Sequence, residues 1–219
     1  MNRPTFLPQA LWRGLALLAL ALLPLLGHAQ TDAGRPNYSA GDWALLPEWC
    51  IDTQDGPYGS PSYSDTPVGK NQSPRSLRWT SIFGGDFWHM HHFCRALYSE
   101  RKLQMTVGAP QRISLAKIIL GEYSYLVHKC SPSNPMMPEV LVRMGDIQLK
   151  SDDRIAAMGS YESARALKPD YWPAYTRWVD ELIKLGLFSK ARELVDQGLA
   201  QMPDEPNLLQ RRKALEGKS

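Results

Sequence analysis

From Leu141 to Glu205 apolar residues return at three- and four-residue intervals, and the whole pattern then repeats itself. Set "LVRMGDIQLKSDDRIAAMGSYESARALKPDY", starting at Leu141, above "YTRWVDELIKLGLFSKARELVDQGLAQMPDE", starting at Tyr175, and the two run in step at a spacing of 34. Arg143 falls over Arg177, Asp146 over Asp180, Lys150 over Lys184, Ala157 over Ala191, Tyr161 over Val195, Ala164 over Gly198 and Pro169 over Pro203. Spacing near 3.6 predicts amphipathic helices, and Pro169 and Pro203, which cannot continue a helix interior, mark where each unit ends. The pattern therefore predicts two helical hairpins, over 138–171 and 172–205. A hairpin buries its faces only against neighbours, so a third unit is expected upstream and a cap downstream. "PNLLQRRKALEGKS" (206–219), apolar at Leu208, Leu209 and Leu215, reads as a capping helix.

Upstream the period weakens. "QRISLAKIILGEYSYLVHKC" (111–130) keeps helical spacing, and Gly121 and Tyr125 lie four apart like Ala157 and Tyr161. It reads as the second helix of a divergent hairpin over 84–137. The first helix of that hairpin begins in "GGDFWHMHHFC", with Asp86 as the N-cap. Residues 30–83 carry no such period. They are rich in Pro, Gly and Ser, most densely in "DGPYGSPSYSDTPVGKNQSP" (55–74), yet "DWALLPEWC" and "LRWTSIF" on either side are heavily apolar. The expectation is an irregular extension that lays Trp43, Trp49 and Trp79 over the first hairpin, with a mobile middle.

The segment 1–29 has a third character. Arg3 and Arg13 precede the twelve-residue apolar run Leu15–Leu26. Gly27-His28-Ala29 then places small residues at the two positions a signal peptidase reads. A membrane span needs roughly 20 apolar residues, so residues 1–29 read as a cleaved signal peptide and the protein as exported, periplasmic in a bacterium. No cysteine follows the cleavage point to carry a lipid anchor.

The repeating unit has small residues at Gly145, Ala157 and Ala191, large ones at Tyr161 and Val195, and the closing Pro169 and Pro203. It resembles the tetratricopeptide repeat (TPR). Val179 stands where that pattern prefers glycine, and Asp152 where it has a turn glycine such as Gly186. The resemblance implies an all-α fold: a short right-handed α-solenoid of about three hairpins plus the cap, with the first helices lining a concave wall. "WC…DFWHMHHFC" followed by such units also resembles small exported repeat proteins of bacteria, a likeness that brings no activity with it.

Charge and cysteines narrow the picture further. The net charge of +3 falls to +1 once the signal and its two arginines are removed, so nothing global favours nucleic acid or anionic membrane. Export would permit disulfides among Cys50, Cys94 and Cys130. With a hairpin turning near Thr106, Cys94 faces about residue 118, which leaves Cys130 roughly 18 Å away, beyond bonding reach. Cys50 with Cys94 is the better pair, and three reduced, buried cysteines are the alternative.

The cluster "DFWHMHHFC" is the one candidate for metal chemistry. His89 with His92, and His91 with Cys94, stand three apart, but on different helix faces, and a zinc site needs three or four convergent ligands. Packing beneath the extension, with His91 or His92 bonded to an oxygen, is the favoured reading; a metal site of His89, His91, His92 and Cys94 is the alternative. There is no G-x-S-x-G, phosphate loop or H-E-x-x-H, and no cofactor or enzymatic activity is expected. The expected function is a protein-interaction scaffold for another envelope protein or peptide segment, in assembly or upkeep of an envelope or secretion complex. Candidate partner-binding residues are Arg143, Asp146, Lys150, Arg177, Asp180 and Lys184, although an Asp–Lys pair at i,i+4 is also ordinary surface chemistry. Val142 and Asp146 replace the lysine and asparagine of the repeat family's carboxylate clamp, so capture of a C-terminal carboxylate is not expected.

Overall fold

A computed structural model describes residues 36–59 and 74–218. The predicted signal peptide and residues 60–73 of the stretch 55–74 expected to be mobile lie outside the described residues; the start of that stretch, 55–59, is described, and its Asp55 is buried and paired with Arg95. Within them the chain forms α-helices and 3₁₀ turns with no strand, and no helix is long and apolar enough to cross a membrane. The helices are α1 (Ala40–Trp43), α2 (Pro74–Phe83), α3 (His91–Met105), α4 (Ala109–Lys129), α5 (Met137–Lys150), α6 (Arg154–Leu167), α7 (Pro173–Lys184), α8 (Phe188–Gln201) and α9 (Pro206–Ala214). Helices α3 and α4, α5 and α6, and α7 and α8 pack as successive hairpins, each also touching the next, and α9 closes the row against α7 and α8.

The two repeats share their turn in atomic detail. At the end of α5, Asp152 N–H donates to Leu149 O and Asp153 N–H to Gln148 O; at the end of α7, Gly186 N–H donates to Ile183 O and Leu187 N–H to Leu182 O. These are the paired bonds of a Schellman stop, which needs one residue in the left-handed region. Gly186 takes it at φ +70°, and Asp152, 34 positions earlier, takes it at φ +63°. Aspartate tolerates that conformation better than most residues because its short side chain bonds locally.

Between the helices the small positions do what their size suggests. Ala157, Ala164 and Ala191 are fully buried. A Cβ on Gly145 would stand 2.7 Å from the Tyr161 ring, and one on Gly198 2.8 Å from Leu208. Neighbouring side chains therefore occupy the space that a Cβ would take. The apolar interior runs in two clusters, 46–174 and 175–215, and Trp178 packs against both.

The N-terminal part departs from expectation in three ways. Residues 74–83, expected to be irregular, form α2. Trp79 and Phe83 lie four apart and are both buried, giving this stretch its own helical stripe. Asp52, itself buried, holds α2 in place, accepting from Arg75 Nε at 2.7 Å and Trp79 Nε1 at 2.8 Å. Asp86 is not the N-cap of the first hairpin. Residues Gly84–His89 wind into a 3₁₀ turn and α3 starts at His91 with no side-chain cap. Asp86 instead accepts from Ser131 N (2.9 Å) and Asn134 Nδ2 (3.1 Å), fastening the far end of α4. The equivalence of Gly121 and Tyr125 with Ala157 and Tyr161 is also displaced, by two positions. Ile119 and Tyr123 are the fully buried pair, whereas Gly121 is exposed with no neighbour within 4 Å of its missing Cβ.

Candidate functional site

The charged residues that recur every 34 positions form a ladder along the first helices of the hairpins. On α7, Arg177 Nε lies 3.5 Å from Asp146 of α5; on α9, Arg211 grips Asp180 of α7 with two nitrogens, at 3.0 and 2.7 Å. On α5, Arg143 reaches back to Glu100 of α3 at 2.9 Å and along its own helix to Glu139 at 2.7 Å. Each junction between neighbouring units thus has one arginine, at 143, 177 and 211, pointing back to a carboxylate. Tyr161 adds to the middle rung by donating to Asp146 at 2.7 Å, and Tyr123 to the first by donating to Glu100 at 2.5 Å. Burial, reinforced by those carboxylates, pushes both phenols above their usual range, so they stay neutral donors.

Of the six candidate partner-binding residues, Arg143, Asp146, Arg177 and Asp180 are therefore engaged inside the stack. Lys184 lies 3.5 Å from Glu181, three positions back on the same helix. Lys150 is exposed and has no acidic partner among the described residues; the position three before it is Ile147.

The histidines lie along the seam between the extension and the first hairpin. The disulfide Cys50–Cys94, with Cα atoms 5.8 Å apart, binds the two together. Next along α3, Arg95 forms a two-nitrogen pair with Asp55, the second contact at 2.9 Å. His91 is buried and donates Nδ1–H to Trp88 O at 2.9 Å. Its pKa is lowered to about 3, first by desolvation and then by the neighbouring His92 and Arg95, so it is neutral in the folded protein. His92 stacks on Tyr125 with ring centroids 3.6 Å apart and directs Nδ1 to Glu122, while His89 Nδ1 meets Tyr125 Oη at 3.1 Å.

The four alternative metal ligands face different partners: His89 faces Tyr125, His91 the Trp88 carbonyl, His92 Glu122, and Cys94 shares its sulfur with Cys50. Among the described residues no three His, Cys, Asp or Glu side chains come together as metal ligands would.

The third feature is an open groove of about 920 Å³ between the N-terminal half of α4 and the end of α5. Ala116, Leu120 and Met144 form much of its apolar wall, Gly121 and Ser124 leave it wide, and Ile113 lies at its mouth, 58% exposed. Arg112, Lys117 and Lys150 bring positive charge to its edge.

Sequence reasoning overlooked Glu100, Arg211 and the groove. Arg211 was within reach, because the arginine period 143, 177 continues to 211; Glu100 breaks the period and has no such signal. Comparison with known proteins assigns the chain to no family: no family model matches it, and no curated protein matches it either.

Proposed function

We propose that this chain is an exported, non-enzymatic scaffold of tetratricopeptide-like hairpins that binds another envelope protein or peptide segment and serves the assembly or upkeep of an envelope or secretion complex. The observation that carries this reading is the contrast between the two charged surfaces. The recurring Arg and Asp side chains are consumed in joining units, whereas the α4–α5 groove leaves apolar surface and two exposed lysines facing solvent. An apolar floor with a polar rim is the composition of a recognition surface. Export is supported by the signal-like N-terminus together with the Cys50–Cys94 disulfide, a bond that persists where thiols are oxidised. The metal alternative loses its sulfur ligand to that disulfide.

The test is photocrosslinking in the native cells. A photoreactive amino acid at Ile113 or Lys150, and as a second site at Lys184, is expected to yield a discrete adduct with another envelope polypeptide. Export is read separately, from N-terminal sequencing that places the mature terminus at residue 30. Absence of any adduct at all three sites, with the protein exported and folded, would refute the scaffold reading.

A further inference from the structure

Resting on that scaffold reading, we infer that the α4–α5 groove docks an acidic amphipathic helix of about four turns from a partner protein. The groove owes its existence to a mismatch of lengths. Helix α4 has 21 residues and α5 has 14 residues. At a rise of about 1.5 Å per residue, α4 is longer by about 10 Å. Its C-terminal end runs directly into α5 through residues 130–136, which leaves its N-terminal half beside the α5–α6 turn. The groove is lined by α4 from Ala109 to Ser124. That stretch spans about 22 Å, the length of a four-turn helix.

The spacing on α4 suits a helix as the occupant. Ile113, Ala116, Leu120 and Ser124 recur at three- and four-residue intervals. They therefore form one stripe, apolar from Ile113 to Leu120 and ending in the small Ser124. A second helix with its own apolar stripe fits against such a surface, as helix-in-groove complexes do.

Charge selects the partner's flank. Arg112 is anchored by its bonds to Leu103 O and Thr106 O, both 2.9 Å, neither of which neutralises it. Lys117 and Lys150 are exposed with no acidic partner among the described residues. The groove's one carboxylate, Asp153, is occupied as the N-cap of α6, accepting from Ala156 N at 3.1 Å. The same position one unit later shows what is unusual: Lys184 has Glu181 beside it, while Lys150 has the buried Ile147. Three cations against one committed acid complement a helix whose flanks carry Glu or Asp.

The test uses three helical peptides of about 15 residues with one common Leu/Ile stripe and flanks of Glu, Gln or Lys, titrated into the purified protein by fluorescence anisotropy. The Glu peptide is expected to bind at least tenfold more tightly than the Gln peptide. That advantage should be lost in about 0.5 M salt, where the screening length is about 4 Å, and in the double variant K117E/K150E. I113D, at an exposed position, is expected to abolish binding of the Glu and Gln peptides alike while the far-ultraviolet spectrum stays unchanged. Equal affinity for the three peptides, or no effect of I113D, would overturn the inference. So would a concentration-dependent dimer dissolved by I113D, which would make a second copy the occupant, or binding to anionic phospholipid vesicles lost in K117E/K150E, which would make it a lipid surface. Crosslinks from Ile113 together with an undiscriminating peptide panel would leave the scaffold intact and remove only the acidic helix. Peptide discrimination with no crosslink in cells would do the reverse.

Discussion

Hairpins α5–α6 and α7–α8 follow one another at a spacing of 34 and fill the shared register in opposite ways. Where the first has Gly145 against Tyr161, the second has Val179 and Val195. All three bulky members are fully buried, and the Tyr161 ring lies directly against the Gly145 backbone. One large ring against a bare backbone is equivalent, for packing, to two branched side chains of middling size. The register thus accommodates either pairing of sizes, and Val179 is fully buried where the repeat pattern has glycine.

The comparison can be broken most severely at Gly145. Placing valine there puts new carbons into the Tyr161 ring, and G145V is expected to cost about 3 kcal/mol in urea unfolding. Y161V alone opens a cavity and should cost about as much. The double variant G145V/Y161V reproduces the Val179–Val195 arrangement and should be more stable than the sum of the single losses by at least about 1 kcal/mol. Strict additivity would show that the two hairpins do not share one packing logic.

Acid should separate both repeats from the first hairpin, because neither contains a histidine. His91 is held neutral with its pKa lowered to about 3, whereas in the unfolded chain it titrates near 6.5. Below pH 6.5 the unfolded state therefore binds a proton that the folded state refuses, and stability falls with falling pH. Between pH 6.5 and 5 the loss from His91 is about 2 kcal/mol, and H91Q should remove it, leaving only the part contributed by His89, whose pKa desolvation also lowers. Amide exchange should show the loss around α3, with α7 and α8 unaffected.

A smaller difference lies in the rungs. Arg211 binds Asp180 with two nitrogens and is mostly shielded, while Arg177 meets Asp146 once and is half exposed. R211A is expected to cost about 1 kcal/mol and R177A a few tenths, both measured by urea denaturation; equal losses would mean the two rungs are not graded by their geometry. The smallest effect concerns the turn, where Asp152 is a left-handed non-glycine residue and Gly186 its glycine counterpart. By urea denaturation D152G should gain about 0.5 kcal/mol of stability and G186A should lose about 1 kcal/mol.

The repeats were legible because their information is local and periodic. The helical stripes, the prolines at the unit ends and the glycine turn all act within a few residues, and Pro169 and Pro203 do lie in the breaks after α6 and α8. Hairpin geometry ruled out Cys94–Cys130 and favoured Cys50–Cys94, while three reduced cysteines stayed open until the structure showed the bond. Helix α2 was hidden because its stripe, Trp79 and Phe83, is short and follows a long loop-like composition. Asp86 has the right residue type and place for a cap, but a 3₁₀ turn intervenes and its carboxylate serves Ser131 and Asn134, 45 and 48 positions away. The two-position displacement in α4 arose because Gly121 and Tyr125 imitate the small-then-aromatic spacing, while Ile119 and Tyr123 are the pair that enters the core. The groove depends on how two helices of unequal length diverge, a quantity no single segment encodes.

The disulfide also bears on the order in which the chain can be oxidised. Cys50 and Cys94 are the first two thiols met from the N-terminus. If the chain enters an oxidising compartment N-terminus first, their bond can close before Cys130 arrives. Once α4 has docked, Cys130 is buried and its thiol is pushed up to about 12, chiefly by loss of solvent and further by Asp86. Thiol exchange proceeds through the thiolate, and at neutral pH such a sulfur is almost never ionised. Burial thus keeps the third cysteine from scrambling the other two.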